Sequence, residues 1–522
     1  MRLRPLVRRA AAALLGAAGL AAAGCKNDVN VTDPNSPSTG TFGRSATDAN
    51  ASVVATYNAL LRLGTFQRWI AFAYDLRSDI GTSRSPNPLI PALASFRFPG
   101  GYDAEINSNL WNDSFTLVTR ANTAIGFIPN ANMDATLRNQ YLGEAKFLRG
   151  LGYFHLLTVF GGNIPLITAP TAVTDRPASS DSATIYRQIE QDLTDAAAAL
   201  PVQTLAQSGG RATKAAAQGL LGKVQLQQRK YAAAQATLAP IVNGQMGAFA
   251  LEPSYARLFT QAGNLNPETL FEVQMGSPQT CVPGVGVCGL NIIKMMGPPP
   301  MGFTDGEPTR WYFNQFFQEP TVAGGVDPRL DATMFYYKGD STRVYGLTWG
   351  QWRDSVRNAA YRPGSGQTAS DTAGQYRVFW KKYSEYYNGG TDQTWEAQIN
   401  YKVLRFADVL LMYAEALNEQ GQPAQAIPFI NRVRTRAQLA NYGGAADQAS
   451  VRAEIARQRL LEFGLEAQRW LDVRRYNLLN TDLATLQAHD KDFLTYKPGL
   501  EVFPIPSSEI ILNPNLKQNT GY

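Results

Sequence analysis

The sequence predicts a mainly α-helical protein, built from helical pairs with a loop-rich lobe of a few short strands set between them. Three observations predict it. Apolar residues recur at helical spacing over long segments at both ends of the chain. Two widely separated segments share one hairpin pattern, with small residues at matched offsets. Between them, residues 252–400 are rich in Pro, Gly and aromatic residues, and carry only short β-like runs such as "TLFEVQM" and "YRVFWKKY".

The chain opens with Arg2, Arg4, Arg8 and Arg9 and no acid, followed by small apolar residues from Ala10 to Ala23. That is a basic region followed by an apolar one, as in a secretory signal, and it is shorter than the ~20 apolar residues of a spanning helix. Ala23 and Gly24 leave the bond before Cys25 open to a peptidase. The arrangement resembles the lipobox of bacterial lipoproteins, with Ala22 where a larger aliphatic residue is common. It implies a signal peptide over 1–24 and acyl chains, palmitate included, on Cys25. An ordinary secretory cut with Cys25 incidental is the alternative. Residues 25–42, polar and punctuated by Pro34, Pro37 and Gly40, read as a flexible tether. Lys26 and Asp28 look like a surface-export signal.

From residue 43 onward a single domain is expected, with a helical frame over about 43–245 and 400–522 and the irregular lobe over about 246–400. Helical periods cover Asp48–Leu63, Trp111–Ile128, Asp134–Phe160 (stopped by Gly161-Gly162), Ile185–Leu200 and Ala212–Asn243. They resume over Lys402–Ala437 and Ser450–Tyr476. In "RFADVLLMYAEALNE" an apolar face is expected from Leu404 to Leu417, with Arg405, Asp408 and Glu415 at its margin. The segments around Gly222, Ala234 and Leu238, and around Ala414, Ala426 and Ile430, resemble tetratricopeptide hairpins; generic helical hairpins are the plainer reading.

Cys281 and Cys288, in "CVPGVGVC", read as a local disulfide in an exported protein, with a metal pair as the alternative; neither His nor further Cys lies near. The Gly284-x-Gly286-x-x-Gly289 spacing is not a dinucleotide fingerprint, because no strand pattern precedes it and Pro298-Pro299-Pro300 soon follows.

Four of the six net positive charges are leader arginines, so the remaining chain is near +2 and carries no concentrated basic stripe. A nucleic-acid partner therefore has little support. The only histidines are His155, in an apolar helix, and His489, in a polar stretch read as loop. Nucleophile-elbow, zincin and phosphate-loop motifs are missing, so no enzyme, no cofactor and no metal is expected. Two carboxylates suffice for a glycoside hydrolase, which stays open as a lesser alternative, as does a purely structural scaffold. Glu462 and Glu466, one turn apart, are read as ion-paired with nearby arginines rather than as a catalytic pair.

Four segments together resemble one family: "GEAKFLRGLGYFHLLTVFGGNIPLI" (143–167), "LRFADVLLMYAEALNEQGQPAQAIPFINRVRTRA" (404–437), "RQRLLEFGLEAQRWLDVRRY" (457–476) and "FPIPSSEIILNPNLKQNTGY" (503–522). With the lipobox and "WNDSFTLVTRANTAI" (111–125), they are similar to the SusD/RagB nutrient-binding outer-membrane lipoproteins. The resemblance implies an α-α superhelix of four tetratricopeptide-like pairs supporting an irregular lobe. It implies an outer-membrane, extracellular location and a SusC-type TonB-dependent transporter as partner, over which the lipoprotein acts as a lid. The cargo would be an oligosaccharide or, in the RagB branch, a peptide.

Sugar rings present apolar C–H faces that flat aromatic rings cover, while carboxylates, amides and arginines take the hydroxyls. Two stretches have that composition. "FQRWIAFAYDLRSDIG" contributes Trp69, Tyr74, Asp75, Arg77 and Asp79, and "DGEPTRWYFNQFF" contributes Arg310, Trp311, Tyr312 and Asn314. Trp349, Trp352, Trp380 and Tyr383 are further candidates.

Overall fold

The computed structural model describes residues 44–98, 102–172, 174–276, 289–299, 302–339, 342–344, 346–352, 354, 378–384 and 397–522. The leader, Cys25, the tether, Cys281 and Cys288 lie outside the described residues.

The first helix, α1 (Ala46–Asn58), starts at a capping box. Ser45 Oγ accepts from the Asp48 amide and Asp48 accepts from the Ser45 amide, both at 3.1 Å. It is followed by α2 (Glu105–Phe127) and by α3 (Ala135–Phe160), which Asp134 caps and Gly161, at φ +74°, ends. Next come α4 (Ser182–Ala199), α5 (Lys214–Gln227) and α6 (Tyr231–Val242). The helical period over Ala212–Asn243 is broken by a tight turn at Arg229, which takes φ +57°. Each helix from α2 to α5 packs on its successor. Gly222 lets α5 and α6 touch, since a Cβ there would stand 2.4 Å from Leu238 Cδ2.

Past a short helix α7 (Arg310–Gln315), the chain returns as α8 (Phe406–Glu419), α9 (Pro423–Arg436), α10 (Gln448–Glu462) and α11 (Arg469–Arg475), then α12 (Leu483–His489) and α13 (Ser507–Leu512). The hairpins α5/α6 and α8/α9, remote in sequence, stack directly because α6 packs on α8. The mainly helical fold read from the sequence is the fold observed.

Among the described residues, eight short strands pair two by two, all antiparallel. They are β1 (Gly81–Thr82), β2 (Thr269–Val273), β3 (Glu307–Pro308), β4 (Met334–Phe335), β5 (Arg343–Val344), β6 (Leu347–Thr348), β7 (Phe379–Trp380) and β8 (Tyr401–Arg405). The pairs are β1·β3, β2·β8, β4·β7 and β5·β6. Leu404 and Arg405 thus lie in a strand, not on the helical face expected from their spacing. Asp408 and Glu415, expected at the margin of α8, are buried because both of its sides are covered.

What allows those charges inside is an ion-pair network. Arg405 meets Glu462 at 2.9 Å, Glu466 at 2.7 Å, and Glu268. Arg329 bridges Asp327 and Glu462, Arg436 bridges Glu268 and Glu462, and Lys382 pairs with Glu466 at 2.9 Å. The cluster holds as many cations as carboxylates. Burial alone would raise the Glu462 carboxyl, but Arg436, Arg405 and Arg329 hold it well below the usual range. A second cluster ties α5, α8, α10 and α11 together: Lys223 and Arg459 on Asp408, and Arg475 between Asp472 and Glu415. Ion pairing of Glu462 and Glu466 therefore holds, although their partners come from distant segments. The helical period over 450–476 is interrupted after Glu462, where Leu465 and Ala467 take φ of 62° and 56°. That break turns the Ala467 amide towards Asp75 (3.0 Å).

Gly64 marks another close approach. A Cβ there would fall 1.9 Å from the Asn109 carbonyl oxygen of α2, and backbone cannot rotate away as a side chain can. Gly64→Ala is expected to cost about 1–3 kcal/mol or more. A denaturant midpoint equal to wild type would show that the segment from Leu63 to Gln67 can lift off α2.

Candidate functional site

The two stretches singled out by composition meet in space. The first runs through two π-helical turns, Leu63–Gln67 and Phe72–Leu76, around a short helix Trp69–Ala71. It ends in β1, which pairs with β3 at the start of the second stretch. Thr309 fastens the junction. Its hydroxyl donates to the Asp79 carbonyl at 2.7 Å, accepts from the Tyr312 amide at 3.2 Å, and so caps α7.

Most of the side chains expected at a ligand surface are in the core instead. Trp69, Tyr74, Asp75, Arg77, Asp79 and Tyr312 are at most 3% exposed, and Trp349, Trp352, Trp380 and Tyr383 are buried as well. No sugar ring reaches them in this conformation, so they hold the site up rather than touch cargo. Tyr74, Asp75 and Asp79 each meet a partner there. Tyr74 donates to His155 Nδ1 at 3.3 Å or accepts from it, and burial together with Lys223 pushes His155 down to about 3. Asp75 Oδ2 accepts from the Ala467 amide, while Oδ1 reaches no donor; burial pushes this carboxyl up to about 8. Asp79 takes both of its oxygens to Arg469 (2.7 and 2.8 Å), and one also to His489 Nδ1 (3.0 Å). Burial would raise Asp79, but Arg469 and His489 overcome it and hold the carboxyl at about 2. A carboxylate so fixed is ionised at neutral pH and is not a general acid.

Arg310, Trp311 and Asn314 remain on the solvent side of α7. Trp311 is half-buried because its indole stacks on His489, ring centroids 3.6 Å apart and planes 16° apart. His489 is the last residue of α12, not a loop residue, and its imidazole is clamped between Trp311 and Asp79. One helical turn on from Phe313, Phe317 is 46% exposed. The outer side of α7 thus offers Arg310 and Asn314 at i, i+4 spacing beside the braced Trp311, with exposed Phe317 in the turn that follows. His489 and Phe317 were not picked out in the sequence. Phe317 closes the quoted stretch, three residues beyond the last candidate Asn314, and the Asp79 partner that fixes His489 is 410 residues away.

Such a face can cover the C–H side of a sugar and hydrogen-bond its hydroxyls. Among the described residues no group of three or more His, Cys, Asp or Glu side chains could hold a metal ion.

Family comparison is informative over both parts of the frame. A model described as the SusD family matches residues 298–522, and a second, described as "Starch-binding associating with outer membrane", matches residues 100–226. The chain belongs to the SusD family. SusD-like protein P38 of Formosa agariphila is 24% identical over 516 residues, covering 95% of this chain and 96% of that protein. Starch-binding protein SusD of Bacteroides thetaiotaomicron is 24% identical, over 74% of this chain and 73% of that one. Among solved structures, a SusD superfamily protein from Bacteroides vulgatus superposes with a TM-score of 0.78 at 23% identity, covering 92% of this chain and all of that one. A laminarin-binding SusD-like protein gives 0.72 at 26% identity, with the same coverage. Surface glycan-binding protein A from Bacteroides fluxus gives 0.72 at 24%.

Proposed function

We propose that this SusD-family protein is a glycan receptor that captures oligosaccharides on the outer side of α7 and makes or breaks no bond. The observation that carries the reading is the Trp311 indole, pinned by His489 and flanked by Arg310 and Asn314, on a fold shared with proteins named for laminarin and surface-glycan binding. An aromatic ring held rigid loses little entropy when a sugar stacks on it. The leader and Cys25 support anchorage by acyl chains, and the description of the matched family supports an outer-membrane setting. On this reading residues 25–42 tether a single domain, 43–522, on the extracellular face, with Cys281 and Cys288 joined as a local disulfide. The receptor passes its cargo to a SusC-type TonB-dependent transporter and works as its lid.

Calorimetry of the protein against neutral oligosaccharide and peptide pools tests this. Oligosaccharide is expected to bind, and Trp311→Ala to weaken it at least tenfold while the protein stays folded. Binding of peptides alone, or equal sugar binding by the variant, would overturn it.

A further inference from the structure

Arg77 is the exception among the buried cations. Among the described residues, every other buried arginine or lysine has a carboxylate within 4.0 Å. Arg77 is 0% exposed and has none. Its Nη2 donates to the Leu500 carbonyl, and its Nε and Nη1 reach no acceptor. Four aromatic rings enclose it, with Phe503 at 4.6 Å and Phe96 at 4.9 Å from the guanidinium carbon. Arginine stays charged even there, although burial pulls its pKa down.

That charge lies under an open groove of about 680 Å³, whose lining includes Phe96, Phe98, Leu500 and Tyr522, all neighbours of Arg77. Two exposed cations, Arg97 and Lys497, line the same groove. Two acids lie nearby, and the field of Glu501 reaches Arg77. Glu501 is turned into its own loop, accepting from the Gly499 amide at 2.7 Å and the Tyr496 hydroxyl at 3.3 Å. Asp492 faces Arg97 but also accepts from Thr82 at 3.0 Å. Tyr522 meets Phe98 and Tyr102 edge-on, with centroids 5.5 Å apart in both pairs, so ring faces and positive ring edges both reach the groove. Low-dielectric aromatic walls over a buried cation concentrate a positive potential where a ligand would sit.

We propose that this groove is a second saccharide site, selective for a sugar that carries an anionic group, a carboxylate or a sulfate ester. Arg97 and Lys497 contact the anion, Arg77 supports it from beneath through its field, and the aromatic rings take the apolar face of the sugar. The groove shares no lining residue with α7. The proposal rests on the reading of the protein as a glycan receptor but not on Trp311.

The test is calorimetry of the intact protein with three probes: a uronic-acid oligosaccharide, a neutral oligosaccharide, and the sulfate ester of that neutral oligomer. Variants are R97A/K497A, Lys497→Ala alone and Trp311→Ala, each checked for cooperative unfolding well above the assay temperature. One or both acidic probes should bind wild type more tightly than the neutral one, and the one that does identifies the anion. R97A/K497A should weaken that binding at least tenfold, Lys497→Ala less so, and added salt should mimic the loss. Neutral binding should survive R97A/K497A. Acidic binding that is untouched by R97A/K497A, or no tighter than neutral binding, overturns the groove while leaving α7 standing. Neutral binding unchanged in Trp311→Ala overturns α7 while leaving the groove standing. Failure of every saccharide to bind overturns both.

Discussion

Replacing Arg405 with alanine is expected to destabilise the protein by about 3–5 kcal/mol, the cost of leaving a buried ion-pair cluster unbalanced. Three carboxylates, Glu268, Glu462 and Glu466, face this one guanidinium. With it gone, Arg329, Arg436 and Lys382 remain to neutralise those three and Asp327, so one buried negative charge has no partner. The contrast is Lys230→Ala, which removes a partly exposed pair with Glu190 and should change stability by less than about 1 kcal/mol. Urea or guanidinium unfolding measures both, through the midpoint at constant slope. A double variant, R405M/E466Q, removes charge from both sides and should lose less than the sum of its single changes. If Arg405→Ala cost no more than Lys230→Ala, the network would be incidental to the fold.

Asp75→Asn should stabilise the protein at alkaline pH, by on the order of a few kcal/mol, and flatten its pH dependence. Burial holds this carboxyl protonated up to about 8 against an ordinary value of 3.8. A raised folded pKa means that the folded state binds the proton more tightly. Its contribution is thus fully present below pH ~4 and is lost as pH rises through ~8. The amide oxygen introduced by the substitution still accepts from the Ala467 amide, and no charge forms in the core. Asp79 has the opposite sign: held at about 2, it contributes above pH ~4, and the contribution fades as pH falls through ~2. Unfolding free energies between pH 5 and 9 separate the two. A variant whose stability falls with pH as steeply as wild type would show that Asp75 is already ionised in the fold.

The helical frame was legible because its signals are local. Periodicity, the Asp134 cap and the Gly161 stop all act within a few residues of the helix they define. The small residues at Gly222 and Ala414 gave the two hairpins, though not their stacking on each other through α6 and α8. The site was legible only as a neighbourhood. "FQRWIAFAYDLRSDIG" has the composition of a sugar-binding loop, yet Asp79 is neutralised by Arg469 and His489, 390 and 410 residues away. Nothing in the local sequence tells an aromatic or charged residue that faces cargo from one whose partner folds back from the far end of the chain. The same separation hid the partners of Glu462, which are Arg329, Arg405 and Arg436 rather than the arginines that follow it.

Pairing of β2 with β8 has one more consequence. Val273 lies opposite Tyr401, so the chain leaves the frame and re-enters it side by side. The described part of the segment between them is thus spliced in at one seam and returns to the frame at a few further contacts. Those contacts are Arg329 on Glu462, Lys382 on Glu466, Glu319 on Arg434 and Arg457, and the β1·β3 pair with Trp311 stacked on His489. A transplant of this cassette between relatives should therefore carry binding preference with it, provided that the graft keeps those contacts.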